Sequence, residues 1–327
     1  MRTLVTGGAG FIGSHVVERL LADGHAVTVL DNFATGRREN LSHLGTPSSL
    51  QIYEVDVADT NRVQPYVEGV DWIFHLGALA DIVPSIQRPL DYYRANVAGT
   101  MNMIEAARQA QVKRFIYVAS SSCYGIPDQC PTPEDAPFRP QYPYALTKLL
   151  GEQLVLHWAK VYKLPAVSLR FFNVYGPRAR TSGSYGAVFG TFLAQKLAGQ
   201  PMTVVGDGSQ RRDFTFVTDV VEALVRAAES EVMGEALNVG SGQAYSINHL
   251  VRLLGGPVVH IPKRPGEPDC TWADITKIRQ RLGWEPRVSF EDGVQQMLNC
   301  IADWREAPVW TPTSIADATK EWFTCLR

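Results

Sequence analysis

Short apolar runs alternate with segments of helical periodicity along the first half of the chain. Apolar runs typical of β-strands lie at residues 3–5, 26–30, 51–55, 72–76, 115–119 and 166–172. Between them, apolar residues recur at helical spacing after Ser14 and again through Val97, Met101 and Ile104. Strands that alternate with helices predict an α/β fold with a Rossmann-type, doubly wound parallel sheet.

A glycine-rich loop follows the first strand directly. Residues 6–13 read TGGAGFIG, and an amphipathic helix comes after them. Glycines at three positions would let the backbone turn tightly, approach a pyrophosphate and pack the helix against the sheet, with the helix N-terminus facing the phosphates. The loop therefore predicts a dinucleotide site with contacts from Gly7, Gly10, Phe11, Ile12 and Gly13.

An acidic residue ends the second strand. Asp31 lies about 20 residues beyond the glycine loop, where a carboxylate accepts hydrogen bonds from an adenosine ribose. This position favours NAD over NADP. Arg37 and Arg38 lie nearby and could meet a 2′-phosphate, so NADP stays open at this point.

A tyrosine and a lysine four residues apart supply the candidate chemistry. Residues 144–148 read YALTK, and on a helix Tyr144 and Lys148 would share one face. A cation close to a phenol favours phenolate, and an oxidised nicotinamide ring would act in the same direction. The pair therefore predicts a general base near working pH. The same spacing occurs in ordinary helices, so its meaning depends on the serines at 120–122, which follow the fifth strand.

Composition restricts the classes of function. The chain has 327 residues and a formal net charge of −2, which argues against binding nucleic acid or a membrane surface by bulk attraction. The five cysteines and seven histidines are scattered, so neither a disulfide framework nor a metal site is expected. Without a signal-like N-terminus or a run of roughly 18 apolar residues, the expected location is cytoplasmic.

The length predicts two lobes or one enlarged lobe, and the composition favours two. Residues 1–172 would form the dinucleotide-binding domain, with later segments returning to it. Residues 173–327 would form mainly a smaller C-terminal α/β lobe that binds the substrate, because the composition after residue 177 shifts to glycine-, serine- and arginine-rich loops.

These motifs, in this order, resemble the extended short-chain dehydrogenase/reductases, in the nucleotide-sugar epimerase and dehydratase branch. The matching segments are TGGAGFIG, DNF at 31–33, DV at 56–57, HLGA at 75–78, NVAGT at 96–100, the serine loop and YALTK. The resemblance implies NAD as the cofactor, held beyond the glycine loop by Asp31, Asn32, Asp56, Val57, Leu76, Gly77, Ala78, Asn96, Tyr144 and Lys148.

The resemblance also implies a catalytic set of Ser120, Tyr144 and Lys148. Tyr144 would take a proton from a sugar hydroxyl, Ser120 would orient and share that proton, and Lys148 would lower the pKa of Tyr144 and hold the nicotinamide ribose. The implied substrate is a nucleotide sugar, with Arg212 and Arg264 as diphosphate clamps because the planar arginine fork pairs with phosphate oxygens. The full set of implied substrate residues is Ser122, Asn173, Arg180, Arg212, Arg264 and Thr271.

The residues after Ser120 favour one branch of that family. Dehydratases of the family carry an Asp-Glu pair there, whereas this chain has Ser121 and Ser122, whose hydroxyls cannot supply a carboxyl acid-base pair. The sequence is therefore most similar to UDP-sugar 4-epimerases. The alternatives are a 4,6-dehydratase or reductase, and a non-catalytic NAD-binding regulator that the intact motifs disfavour.

The sugar stays open at this stage. Thr271 stands where some family epimerases carry a bulky aromatic residue, which implies room for an N-acetyl group, whereas Arg180 resembles an arginine that pairs with a uronate carboxylate. The resemblance also implies that Asp81 lies near the sugar, where it would repel such a carboxylate. UDP-glucose, UDP-N-acetylglucosamine and UDP-glucuronate all remain candidates. The resemblance further implies a homodimer formed through the helices at 96–110 and 144–162.

Overall fold

The computed structural model describes residues 1–179 and 187–326. The strands are β1 Arg2–Thr6, β2 Ala26–Asp31, β3 Leu50–Glu54, β4 Trp72–His75, β5 Arg114–Ser120, β6 Ala166–Phe171, β7 Asn173–Tyr175, β8 Met202–Val205, β9 Arg211–Arg212, β10 Phe214–Phe216, β11 Ala236–Val239, β12 Tyr245–Ser246, β13 Val258–Ile261 and β14 Cys270–Thr271.

Helices connect these strands. The α-helices are α1 Phe11–Ala22, α2 Glu39–Ser42, α3 Thr60–Val67, α4 Ile82–Gln87, α5 Pro89–Tyr92, α6 Gly99–Gln109, α7 Pro143–Tyr162, α8 Val188–Leu197, α9 Val217–Glu229, α10 Ile247–Leu254, α11 Thr276–Leu282, α12 Phe290–Asn299, α13 Pro312–Ala318 and α14 Lys320–Cys325. A π-helix spans Tyr93–Ala98, and two 3₁₀ turns span Ser121–Tyr124 and Ile301–Trp304. Across the residues that the structure describes, no helix is long and apolar enough to cross a membrane.

A seven-stranded parallel sheet forms the centre, in the order β3-β2-β1-β4-β5-β6-β11. This confirms the predicted Rossmann-type fold. The chain adds β2 and β3 on one side of β1, and β4 and β5 on the other. The direction of strand addition therefore reverses at β1, and a crevice opens at the carboxyl ends of β1 and β4.

Apolar residues cover both faces of this sheet. On one face, the helical stripe Val16, Val17 and Leu20 of α1 packs in one buried cluster with Val220 and Leu224 of α9. On the other face, residues of α3, α6 and α7 form a second buried cluster with β4 and β5. The carboxyl ends of the strands are left open between these layers, and that opening positions the site.

Two short segments link the central sheet to the second half of the chain. After Phe172, Asn173–Tyr175 forms β7, which pairs with β10. The following helix, α9, begins at Val217. Asp219 in its first turn lies buried and accepts a hydrogen bond from the backbone N–H of Val288 (3.0 Å), a donor from a distant part of the chain.

Small sheets formed by β7–β10 and β12–β14 lie outside the central sheet, and we call the segments that contain them the outer lobe. β8 pairs with β13, and β9 lies between β12 and β14. In the β9/β14 pair, Arg212 is in register with Thr271, so two of the predicted substrate residues are neighbours. The chain returns to the central sheet at β11, which pairs with β6. The outer lobe therefore faces the carboxyl ends of the central strands, with Arg212 and Thr271 side by side.

Candidate active site

A cavity of about 720 Å³ runs from the glycine loop, past the carboxyl end of β5, to the outer lobe. Its walls include residues of the first lobe and of the C-terminal segment. The predicted residues that line it are Gly7, Gly10, Phe11, Ile12, Gly13, Asp31, Asn32, Asp56, Val57, Leu76, Gly77, Ala78, Ser120, Ser122, Tyr144, Lys148, Asn173, Arg212, Arg264 and Thr271. Arg180 lies outside the described residues, as does Gly186.

Asn96 lies behind the cavity wall. It is buried within the π-helix, where its side-chain oxygen accepts a hydrogen bond from the Leu79 backbone (2.8 Å). Its amide nitrogen donates to the Leu79 carbonyl and to the Thr147 hydroxyl, each at 3.0 Å. Asn96 therefore ties the loop after β4 to the helix that carries Tyr144 and Lys148, and a π-helical turn is a common device at such positions.

The glycine loop forms a cradle that has no room for side chains. Gly7 has a left-handed φ of 67°, and the Gly10 N–H donates to its carbonyl at 3.0 Å. A Cβ atom on Gly13 would lie 2.1 Å from that same carbonyl oxygen. The α1 N-terminus thus meets the loop in the tight arrangement that a pyrophosphate requires, and the residues present fit a dinucleotide.

Asp31 is held in place by the same loop. Its carboxylate accepts hydrogen bonds from the backbone N–H groups of Ala9 (2.9 Å) and Phe33 (2.8 Å). Burial raises the pKa of Asp31, and these two hydrogen bonds oppose that effect. Arg38 stacks on Phe33, 4.0 Å from the ring centroid, and pairs with Glu54 at 2.9 Å. Since Arg38 is engaged in these contacts, the arrangement favours an unmodified ribose and hence NAD.

The cradle leads to a prediction for Gly13→Ala. The new methyl group would force α1 away from Gly7, so we expect NAD affinity to fall by about tenfold or more and the free energy of unfolding to fall by about 1–3 kcal/mol. Calorimetric titration with NAD and denaturant unfolding measure the two effects.

Gly24→Ala is the matched control for Gly13→Ala. Gly24 has a φ of 79° but open space around its Cβ position, so alanine should cost stability, about 1–2 kcal/mol, without affecting NAD binding. Equal NAD affinities for the two variants would contradict the proposed role of the glycine loop in holding NAD.

Ser120 and Tyr144 lie at neighbouring element ends. Ser120 is the last residue of β5, and its Oγ lies 2.8 Å from the Ser122 Oγ and accepts from the Ser122 N–H at 3.2 Å. Tyr144 occupies the first turn of α7, which Pro143 opens with its fixed φ. Hydrogen bonding with Ser120 acts on the Tyr144 phenol, so the structure brings these two predicted catalytic residues together.

Lys148 lies one helical turn after Tyr144 and is only 5% exposed. Its Nζ sits 4.5 Å from the ring centroid of Tyr117, whose hydroxyl donates to the Lys148 carbonyl at 3.2 Å. Tyr117 is a supporting residue that sequence reasoning missed. Its position inside β5 gave only the signal of a buried strand residue.

The electrostatics differ from the sequence expectation. Burial raises the pKa of Tyr144, although hydrogen bonding with Ser120 opposes this shift. Burial also lowers the pKa of Lys148 to about 7, and the negative charge of Glu152 pulls it back up. Desolvation disfavours the charged forms of both side chains, so burial favours the neutral phenol of Tyr144 and weakens the hold of Lys148 on its proton. A lowered Tyr144 pKa therefore requires a further positive charge in the cavity.

A buried ion pair underlies the serine loop. Glu152 accepts from the Arg170 guanidinium at 2.7 and 2.9 Å and from the Ser168 hydroxyl at 2.7 Å. Arg170 also donates to the Tyr124 hydroxyl at 2.6 Å, at the end of the 3₁₀ turn that follows Ser120. The pair thus anchors the serine loop and places a fixed negative charge one helical turn beyond Lys148.

The substrate end of the cavity is polar and preassembled. The Thr271 hydroxyl donates to the Asn173 side-chain oxygen at 2.8 Å. Arg212 pairs with Glu267 at 2.9 Å, and Arg264 lies 3.8 Å from the other oxygen of the same carboxylate. The two arginines predicted to clamp a diphosphate therefore converge on one acidic side chain.

Three lining residues at this end were missed from the sequence. Glu267 lies three residues after Arg264 in the segment KRPGE, and its charge was the available signal of a role at the site. Tyr142 stacks on Tyr144 with ring centroids 6.4 Å apart, and Trp322 packs on Tyr142 at 6.2 Å. Trp322 comes from the C-terminal segment, far from any motif, so only the fold brings it here.

Comparisons with known proteins agree with this geometry. A model of the NAD dependent epimerase/dehydratase family matches residues 3–240. The UDP-glucose 4-epimerase of Mycolicibacterium smegmatis is 39% identical over 303 residues, which cover 90% of this chain and 96% of that protein. A UDP-N-acetyl-alpha-D-glucosaminuronate decarboxylase of Bacillus cytotoxicus is 34% identical, covering 91% and 96%.

A solved structure is also similar along nearly its whole length. The UDP-glucuronic acid 4-epimerase of Bacillus cereus, in complex with UDP-glucuronic acid and NAD, superposes with a TM-score of 0.86 at 33% identity. The match covers 93% of this chain and 99% of that one. The relatives thus include epimerases and a decarboxylase that act on UDP-activated sugars.

Proposed function

The chain belongs to the NAD dependent epimerase/dehydratase family, and we propose that it inverts C4 of a UDP-activated sugar through a transient 4-keto sugar. The observation that carries this proposal is the convergence of Ser120, Tyr144 and Lys148 on one cavity. That cavity runs from the dinucleotide cradle to Arg212 and Arg264, which both approach the Glu267 carboxylate. The site can therefore hold a cofactor and a diphosphate on opposite sides of one phenol.

NAD is the cofactor. The glycine cradle and Asp31 would hold it, and it would supply the acceptor and donor of the C4 hydride with no net consumption. The residues of this chain manage the proton. Tyr144 takes it from the C4 hydroxyl, and Ser120 orients the hydroxyl and shares the proton. Lys148, in its charged form, stabilises the phenolate that Tyr144 becomes.

The proposed order of events follows from the pKa values. Burial keeps Tyr144 protonated in the ligand-free protein, since its pKa is raised. The positive charge of the oxidised nicotinamide ring would oppose that burial effect, so Tyr144 becomes a base only when cofactor and substrate are both in place. Proton removal is in this way restricted to the filled, water-poor cavity.

The serine pair favours epimerisation over the other reactions of the family. Ser121 and Ser122 line the cavity where an acid-base carboxyl pair would be needed to eliminate water. Epimerisation needs only the phenol, its partners and the cofactor. The alternative function is that of a 4,6-dehydratase or a decarboxylase, and one of the similar proteins is a decarboxylase. Such an enzyme would release a deoxy or decarboxylated product.

The features around the sugar end support more than one substrate. Thr271 is small and bonded to Asn173, which leaves space for an N-acetyl group. Asp81 lines the cavity and raises the pKa of Tyr144 through its charge, so a uronate carboxylate would meet repulsion there. We therefore rank UDP-glucose and UDP-N-acetylglucosamine ahead of UDP-glucuronate.

Proton NMR of the purified protein with each of the three UDP-sugars tests this proposal. NAD is present and no other reductant is added. A new anomeric signal from a 4-epimer, absent without protein, would support the proposal and identify the sugar. No change with any sugar would reject the UDP-sugar assignment, and a keto, deoxy or decarboxylated product would favour the alternative.

We further propose that two copies of the chain form a homodimer. On α5, the π-helix and α7, several large apolar side chains are exposed: Leu90 by 80%, Tyr93 by 54%, Val161 by 49% and Tyr162 by 50%. Apolar side chains exposed along neighbouring helices are typical of an interface.

The homodimer proposal predicts a mass of two chains in solution. We expect light scattering after size exclusion to give about 72 kDa, twice the 36.1 kDa of one chain, and the double variant Leu90→Asp, Val161→Asp to give one chain. Exposed charges at both positions should oppose association without affecting the core. A wild-type protein that stays at the mass of one chain in the micromolar range would contradict the homodimer.

A further inference from the structure

The C-terminal segment forms part of the cavity wall, and neither the proposed reaction nor the motifs assign it a role. After α12 the chain continues through α13 and α14. Trp310 and Trp322 from this segment line the same cavity as Tyr144. Trp322 is only 4% exposed, although it lies five residues from the end of the chain.

Trp322 holds the loop that carries the arginine clamp. Its indole N–H donates to the carbonyl of Pro265 at 2.8 Å, and the Arg264 guanidinium carbon lies 5.5 Å from the centre of its ring. Glu267, which joins Arg264 to Arg212, follows two residues after Pro265. The position of the clamp is thus set partly by a hydrogen bond from the last helix.

The same indole ring also packs against Tyr142, the residue that precedes α7. The Tyr142 ring lies 6.2 Å from the ring of Trp322, and Tyr142 stacks nearly parallel (5°) on Tyr144 at 6.4 Å. One side chain therefore contacts both the loop of Arg264 and the aromatic pair that contains Tyr144. A rigid bridge of this kind fixes the distance between a bound diphosphate and the reacting hydroxyl, which a near-attack geometry requires.

Trp284 shows the surroundings expected of a tryptophan with a purely structural role. It is fully buried in the core on one face of the central sheet, and its indole N–H donates to the carbonyl of Asp219 at 3.0 Å, away from the cavity. Trp322 makes the same kind of hydrogen bond but also borders the cavity and touches two of its functional elements. The two residues form a matched pair for an experiment.

We propose that Trp322 is a positioning residue that aligns the Arg264 loop with Tyr144. This inference rests on the proposed function and adds the residue that sets substrate registry. Substrate binding, and not NAD binding, should therefore depend on Trp322, since the cradle of Gly7 to Gly13 lies at the other end of the cavity.

The experiment compares Trp322→Phe with Trp284→Phe in NAD-loaded protein. Each change keeps an aromatic ring and removes one indole N–H bond to a backbone carbonyl. For Trp322→Phe we expect the Kd for UDP and the KM for the UDP-sugar to rise by about fivefold to tenfold and kcat to fall by about threefold to tenfold, with the Kd for NAD unchanged. For Trp284→Phe we expect a lower Tm with both dissociation constants unchanged.

The outcomes separate this inference from the proposed function. If wild-type protein binds UDP and Trp322→Phe binds it equally well, the positioning role is wrong while the proposed function stands. A parallel loss of UDP and NAD binding in Trp322→Phe would also overturn it, because it would indicate general destabilisation. If the wild type binds neither UDP nor any UDP-sugar, the proposed function fails, and the inference fails with it.

Discussion

Replacing Tyr144 by phenylalanine is expected to lower kcat for C4 inversion by about 10²- to 10⁴-fold. The change removes only the phenolic oxygen that takes the proton, while the ring keeps its stacking on Tyr142. Binding of NAD and of UDP should stay within about twofold of wild type, because the cradle and the arginines are untouched. Initial rates from coupled assay or NMR, together with calorimetric titrations, measure both effects.

Tyr162→Phe is the control on the same helix. Tyr162 lies at the C-terminal end of α7 with its ring half exposed, and it loses the same atom without touching the cavity. Its kcat should match the wild type. A Tyr144→Phe variant that retains more than about a tenth of the wild-type rate would show that another group takes the proton.

The second large effect is expected for Lys148→Met, with a loss of about 10²- to 10³-fold in kcat. Methionine has a similar unbranched length and suits the buried position. The variant loses the positive charge that, on our proposal, stabilises the Tyr144 phenolate, so formation of phenolate becomes harder. Removal of a buried amine should leave the fold stable, and denaturant unfolding checks this.

The pH dependence of Lys148→Met carries a distinct signature. Burial places the pKa of Lys148 at about 7, so in the ligand-free protein its charge is gained as the pH falls through that value. On the proposed role, a charged Lys148 stabilises the Tyr144 phenolate, so its loss would raise the pKa of Tyr144 further. The acidic limb of the kcat profile should therefore move to higher pH in the variant.

Lys160→Met is the matched control for Lys148→Met. Lys160 lies on the same helix with its side chain exposed. This variant should keep both the wild-type kcat and the wild-type pH profile. An unchanged profile in Lys148→Met would contradict the electrostatic role of Lys148.

The parts of the site that the sequence predicted are those that depend on a short contiguous segment. The glycine loop, Asp31 at the end of β2 and the Tyr144–Lys148 turn each take their geometry from one local element. Strand and helix alternation likewise predicted the central sheet, because apolar periodicity reports burial directly.

The parts that the sequence did not reveal depend on long-range packing. Asn96 belongs to a motif, yet only the fold shows that it binds Leu79 and Thr147 behind the wall. Trp322 is brought to Tyr142 across 180 positions of sequence. The direction of the Tyr144 pKa shift was also out of reach, since desolvation depends on how completely neighbouring segments close over the phenol.

The measurement that tests the central proposal most directly follows the hydrogen on C4. The UDP-sugar identified by NMR is supplied with deuterium at C4, and the protein turns it over in ordinary water with NAD present. If C4 is inverted within the closed cavity, the 4-epimer keeps its deuterium at C4 in nearly every molecule, because that hydrogen never exchanges with water. A 4-epimer with protium at C4, or release of a keto sugar in place of the epimer, would contradict the proposed reaction.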